Sequence, residues 1–174
     1  MTSNGTSSFV YTGGEEEVPK DVTSVKFASN VAEVRHDAFR GCTILREVEF
    51  NEGLLIIGEG AFRYCWSLES ITLPSTVTDV GEIAFYGCTE LREVELNEGL
   101  LTIREGAFRH CKSLEGIKLP SSITEVGCRA FFDCTKLRDV VLNEGLLTIA
   151  EGAFSSCSSL EYIALPFTVT MVGE

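Results

Sequence analysis

The stretch Ala61-Phe62-Arg63-Tyr64-Cys65-Trp66-Ser67-Leu68-Glu69-Ser70-Ile71-Thr72-Leu73-Pro74-Ser75-Thr76-Val77-Thr78-Asp79-Val80-Gly81-Glu82-Ile83 decides the fold, because its pattern returns in register along the chain. Phe39, Phe62, Phe85, Phe108, Phe131 and Phe154 recur every 23 residues. Cys42, Cys65, Cys88, Cys111, Cys134 and Cys157 keep the same step, each three residues after its Phe. A fixed period of this length marks stacked units, none of which can bury its apolar face alone. Within the unit, Ile71 and Leu73 alternate with Ser70 and Thr72, which predicts a strand with the aliphatics turned inward. Pro74-Ser75-Thr76 reads as a turn, and Val77 and Val80 form a second short apolar segment before the next Ala-Phe.

Extending the frame backward makes Val22, Val25, Phe27, Val31 and Val34 a degenerate first coil over 22–37. Repeats then start at 38, 61, 84, 107, 130 and 153, the last incomplete, so the solenoid spans 22–174. Residues 1–21 lie outside it. There Phe9 to Tyr11 is a brief β-prone run ahead of Gly13-Gly14, which predicts a capping strand with a frayed tip. A longer period overlies the first: Asn-Glu-Gly-Leu-Leu begins at 51, 97 and 143, and Leu-Pro stands at 73, 119 and 165. The duplicated unit is therefore a pair of coils, 46 residues long.

A period within 20 to 29 residues and a Leu-x-x-Ile-x-Leu strand fit a right-handed leucine-rich-repeat solenoid. Its parallel strands would line the concave face, with short turns or helical turns on the convex side. The alternative is a parallel β-helix; one good strand opposite a helix-like Ala-Phe-x-x-Cys turn suits an arc better than a three-sheet tube. The motif Leu-x-x-Ile-x-Leu-Pro-x-x-Val-x-x-Val-Gly-x-x-Ala-Phe-x-x-Cys resembles the BspA-like class of leucine-rich repeats over 22–174. The Asn-Glu-Gly-Leu-Leu variant is most similar to algal and protist versions. The resemblance implies a curved solenoid used for protein binding or adhesion and brings no catalytic residues with it.

The composition narrows the partner classes. A formal charge of −12 disfavours nucleic acid and anionic membranes, both of which are held by clustered Lys and Arg. Apolar runs such as Leu54 to Ile57 fall far short of the roughly 20 residues a membrane span needs. The first 14 residues lack the basic and apolar regions of a signal peptide. That favours a cytoplasmic location, with the cell surface open if the chain is a fragment.

No column assembles a nucleophile, a base and an orienting group, so no catalytic residue is assigned. Six of the seven cysteines stand 23 residues apart and do not form the close pairs of zinc sites, so neither metal nor cofactor is expected. In-register thiols all point one way, which predicts six buried free thiols and one more exposed, Cys128, in a column otherwise holding Glu59, Glu82, Glu105 and Glu151. His36 and His110 are expected to be solvated surface residues.

The outward strand positions carry the leading site. Arg46, Glu69, Arg92, Glu115, Arg138 and Glu161 alternate in sign and predict a cross-strand charge ladder. Beside them, Glu47, Glu49, Ser70, Thr72, Glu93, Glu95, Lys118, Asp139 and Tyr162 form the candidate partner-binding face, with acid on alternate coils; the carboxylates are too dispersed for calcium. A second candidate surface is aromatic: Tyr64, Trp66, Tyr86 and Phe132, in columns otherwise filled by Gly, Thr, Arg or Ser. The expected function is non-enzymatic protein binding on the concave face, and the alternative is a structural or adhesive fragment of a larger surface protein. Leu160, Ile163, Leu165, Val169 and Val172 in the final coil would have one side uncovered, and the strand Tyr162 to Leu165 an open edge, so the expectation is further coils, end-to-end pairing of two chains, or fraying of the final coil.

Overall fold

The computed structural model describes residues 7–173; the tip expected to fray ahead of Phe9 lies largely outside them. Six coils contribute two short parallel strands each, and each end of the solenoid adds one more. The first set comprises β1 (Ser8–Tyr11), β2 (Ser24–Phe27), β4 (Glu47–Glu49), β6 (Ser70–Thr72), β8 (Glu93–Glu95), β10 (Gly116–Lys118) and β12 (Asp139–Val141). The second comprises β3 (Glu33–Val34), β5 (Ile56–Ile57), β7 (Asp79–Val80), β9 (Thr102–Ile103), β11 (Glu125–Val126), β13 (Thr148–Ile149) and β14 (Met171–Val172). The fold is a parallel β-solenoid with two sheets rather than three, and no helix occurs among the described residues.

Two sequence-based expectations change here. The Ala-Phe-x-x-Cys segment is a run of turns, not a helical turn, because two of its bends require left-handed backbone that no α-helix allows. Those bends fall at Asp37, Gly60, Ile83, Gly106, Arg129 and Gly152, with φ between 46° and 62°, and at Gly41, Tyr64, Gly87, His110, Asp133 and Ser156, with φ between 58° and 73°. The second apolar segment is itself a strand. Val34, Ile57, Val80, Ile103, Val126 and Ile149 are buried in it, and stacking these β-branched residues produces the one unbroken sheet, β3-β5-β7-β9-β11-β13-β14.

The core is a set of columns. Phe39, Phe62, Phe85, Phe108, Phe131 and Phe154 stack face to face with centroids 4.9–5.4 Å apart and planes within 4°. Tyr11 of β1 packs on Phe27 and Phe39 at the amino-terminal end of that stack. The turn side is sewn by backbone bonds to the next coil, as in Gly60 N–H to Glu82 O, Phe62 N–H to Ala84 O and Tyr64 N–H to Tyr86 O. All seven cysteines are free thiols and six are buried, Cys128 being the more exposed one. Each buried thiol of the regular coils donates to the carbonyl of the preceding coil's Phe, from Cys65 to Phe39 at 3.1 Å through Cys157 to Phe131 at 3.1 Å.

The first sheet, by contrast, is interrupted at regular intervals. It forms β1-β2-β4, then β6-β8, then β10-β12, with no ladder joining β4 to β6 or β8 to β10. The expected strand Tyr162 to Leu165 is also absent: that segment is not paired to β12. Every break follows an Asn-Glu-Gly-Leu-Leu coil and precedes a Leu-Pro coil. Leu73 N–H points forward to Glu95 O, and Leu119 N–H to Val141 O, at 2.9 Å. Successive amides along a strand point to opposite edges, so the next position, Pro74 or Pro120, should bond backward, and proline has no N–H to donate. Pro166 holds the same place in the last coil.

Candidate binding surfaces

The strands of the first sheet turn their outer residues to solvent and their middle residue inward. Glu47, Glu49, Ser70, Thr72, Glu93, Glu95, Lys118 and Asp139 are all exposed on this face, with Ser70 opposite Glu93 and Thr72 opposite Glu95 across β6 and β8. The four acids are not equivalent. Glu49 accepts from Lys26 at 2.6 Å and Glu95 from Thr72 Oγ1 at 3.0 Å. Glu47 and Glu93 carry no ion pair among the described residues, and two coils, about 9.6 Å, separate them.

The charge ladder expected along the neighbouring column closes at a single rung among the described residues, Arg138 to Glu115 at 2.7 Å. Arg92 turns instead to Glu90 at 3.3 Å. Long side chains in water gain little from a fixed pairing, so local alternatives win. Tyr162 stands apart from the rest of the face. It is 80% exposed and lies across a cleft from Val141, where the last coil separates from β12. A smaller cleft marks the β8–β10 break, between Glu95 and Lys118.

The aromatic residues come together on the turn side. Tyr64, Tyr86, His110 and Phe132 pack edge to face in succession, with centroids 5.3, 5.1 and 5.9 Å apart and planes 87–89° from one another. Arg63 lies over Tyr64 and Tyr86, and Arg109 over Tyr86 and Phe132, at 4.9–5.7 Å. Trp66, 52% exposed, makes no aromatic contact among the described residues. His110 corrects the expectation of a solvated histidine: its side chain is 25% exposed and its Nδ1 lies 2.7 Å from Asp133 Oδ2. His36, at 64%, does face solvent. Column reading treated His110 as a lone turn residue; its neighbours in space sit one position earlier in the adjacent coils. Arg63 and Arg109 share the column of Tyr86 and Phe132 and were passed over as its ordinary polar occupants.

Burial raises the thiol pKa of Cys65, Cys88, Cys111 and Cys134, and that of Cys157 to about 11, so none is a thiolate at neutral pH. Among the described residues no three His, Cys, Asp or Glu side chains are grouped to hold a metal, and no helix is long and apolar enough to cross a membrane.

The model of the BspA type leucine-rich repeat region matches six copies, over residues 19–111 and 55–174. The chain belongs to that family. Comparison with curated proteins finds none that matches. Three solved structures are similar to this BspA-type solenoid. A leucine-rich repeat protein from Bacteroides ovatus is 24% identical with a TM-score of 0.81, over 96% of this chain and 45% of that one. The T. pallidum leucine rich repeat protein is 29% identical with a TM-score of 0.79, over 88% and 71%. A leucine-rich repeat protein from Eubacterium ventriosum is 26% identical with a TM-score of 0.74, over 97% and 41%. The BspA-type chain thus spans less than half the length of the first and third of these.

Proposed function

We propose that this chain is a protein-interaction module, not an enzyme, and that it engages a basic segment of its partner through the outward positions of the first sheet. The reading rests chiefly on Glu47 and Glu93, exposed carboxylates two coils apart without a cation of their own among the described residues. Ser70 and Thr72 fill the gap between them with hydroxyls, and Lys118 and Asp139 continue the face. Such complementarity steers association and sets its salt dependence more than its strength. The test uses Glu47→Gln with Glu93→Gln, on the whole chain, in a pull-down from source cells at low and high salt. A basic partner retained by the parent and lost by the variant at low salt supports the reading; capture unchanged by the variant overturns it.

A second reading is favoured by the final coil. Leu165 and Val172 are exposed where the sister residues Leu73, Leu119, Val80 and Val126 are buried. That uncovered edge suits either a further coil, as in an adhesive or structural array, or end-to-end pairing of two chains. Light scattering over a hundredfold concentration range tests the pairing, which strictly monomeric behaviour would exclude.

A further inference from the structure

The acidic chain carries on its turn side a strip of the opposite character. Arg40 forms an ion pair with Asp37, three residues before it. One and three coils along, the residue in Asp37's place relative to Arg63 and Arg109 is Gly60 and Gly106, and neither guanidinium has a carboxylate partner among the described residues. The nearby Asp133 is held by His110 and Lys112 instead. Both arginines lie flat on rings, and the Nε of each is covered and without a hydrogen-bond partner. That leaves only the outer Nη edge, which is the edge a carboxylate grips in two-point fashion. Arg63 spends one Nη2 bond on Tyr64 Oη at 3.2 Å. The half-buried ring of Tyr86 lies between the two guanidiniums and presents an apolar edge, with Tyr64 and Phe132 beyond.

We propose that Arg63, Tyr64, Tyr86, Arg109 and Phe132 form a docking strip for an acidic polyproline-II segment bearing a carboxylate at every third residue. The spacing selects that conformation. Arg63 and Arg109 are two coils apart, about 9.6 Å. A polyproline-II helix repeats every three residues, about 9.3 Å, with those three-apart side chains on one side. A β-strand of the same reach would turn the third residue to the opposite face. The ring edges of Tyr64, Tyr86 and Phe132 give the proline rings between the acids apolar contact, and a chain already extended loses little freedom on binding.

The probe is a fluorescein-labelled peptide of four Glu-Pro-Pro repeats, titrated with the whole protein and followed by anisotropy at low and moderate salt. Saturable binding is expected, weakened at least tenfold by Arg63→Gln with Arg109→Gln and also weakened by the charge-preserving Arg63→Lys with Arg109→Lys, which removes the fork. Glu47→Gln with Glu93→Gln should leave it unchanged, which separates this strip from the first-sheet face. Any binding of a Lys-Pro-Pro peptide should be unaffected by the arginine substitutions, and a Glu-Gly-Gly peptide should bind at least tenfold more weakly than the Glu-Pro-Pro peptide. Thermal unfolding of each variant verifies the fold. The proposal is overturned if the Glu-Pro-Pro peptide fails to bind at millimolar concentration, or if folded arginine variants retain affinity. Equal binding of the glycine-spaced peptide, or of a helical peptide with glutamates seven apart, overturns it as well.

Discussion

Asn97 donates its side-chain amide to the carbonyl oxygen of Pro74 at 2.8 Å, clasping the coil behind it. The same Nδ2 reaches Val77 O at 2.9 Å, and Asn143 repeats both bonds on Pro120 and Ile123. The Asn97 and Asn143 coils are thus stapled to the Leu-Pro coils before them. The coil after each carries proline in the asparagine column and has no such staple, so the 46-residue sequence period is a mechanical period too.

Asn97→Ala should therefore destabilise the solenoid by about 2 kcal/mol, since Val77 O loses its donor, Pro74 O keeps only Val77 N–H, and Gly99 N–H loses its acceptor. Asn51→Ala should cost less. Its bonds run to Val31 O at 3.0 Å and Ser29 O at 3.4 Å, and its Oδ1 has no partner. Urea unfolding of the two variants checks the order; equal losses would show that the staple is not what Asn97 contributes.

Phe85→Ala should cost about 3 to 5 kcal/mol, because the ring is fully buried between Phe62 and Phe108 and neighbouring coils cannot collapse into the gap without breaking their backbone bonds. Phe154→Ala should cost markedly less, as that ring is stacked on one side and only half-buried. Comparing unfolding midpoints of the two variants is the check.

The thiol column makes stability fall at alkaline pH. Burial raises the thiol pKa of Cys42, Cys65, Cys88, Cys111, Cys134 and Cys157 in the fold. An unfolded cysteine loses its proton near 8.5, whereas the folded one keeps it. Below that pH both states are protonated and the stability is whole; above it the unfolded state alone sheds protons, so stability declines as pH rises toward the folded values, about 11 for Cys157. Melting temperature should drop steeply from pH 8 to 10, and less so for Cys88→Ala with Cys111→Ala measured against its own value at pH 7. In the parent at pH 8, an alkylating reagent should find Cys128 at once and the other six only on unfolding.

Column reading recovers what repeats and loses what lies between columns. The stacked Phe and Cys cores were legible because each residue meets its own copy one coil away. The strand at Val80 and its sisters was not, since two residues are too few to display an alternation. The turn strip was half legible: Tyr64, Tyr86 and Phe132 stood out as aromatic, but Arg63 and Arg109, which alternate with Tyr86 and Phe132 in one column, read as ordinary polar residues, and the left-handed bend at Tyr64 and His110 brings the adjacent column onto them. The charge ladder failed because sign alternation fixes proximity, not geometry, as Arg92 and Glu90 show.

The break between β8 and β10 gives the most direct test of proline's part. Leu119 N–H is bonded forward to Val141 O at 2.9 Å, whereas the amide of Lys118, one residue earlier, faces the opposite edge, toward β8, where no ladder forms. Lys118 should accordingly exchange its amide hydrogen much faster than Leu119, although the two are adjacent and in the same strand region. Pro120→Asn supplies the missing N–H and the side-chain amide that its sister Asn97 uses. The variant gives up about 0.4–1 kcal/mol of the rigidity that proline lends the unfolded comparison. In return the junction gains a backbone bond and two staple bonds, each worth about 0.5–1.5 kcal/mol. Lys118 should slow toward the rate of Leu119, with net stability unchanged or higher. Hydrogen exchange followed by NMR on parent and variant decides it: equal protection of the two amides in the parent, or no slowing of Lys118 in Pro120→Asn, would show that something other than proline holds these coils apart.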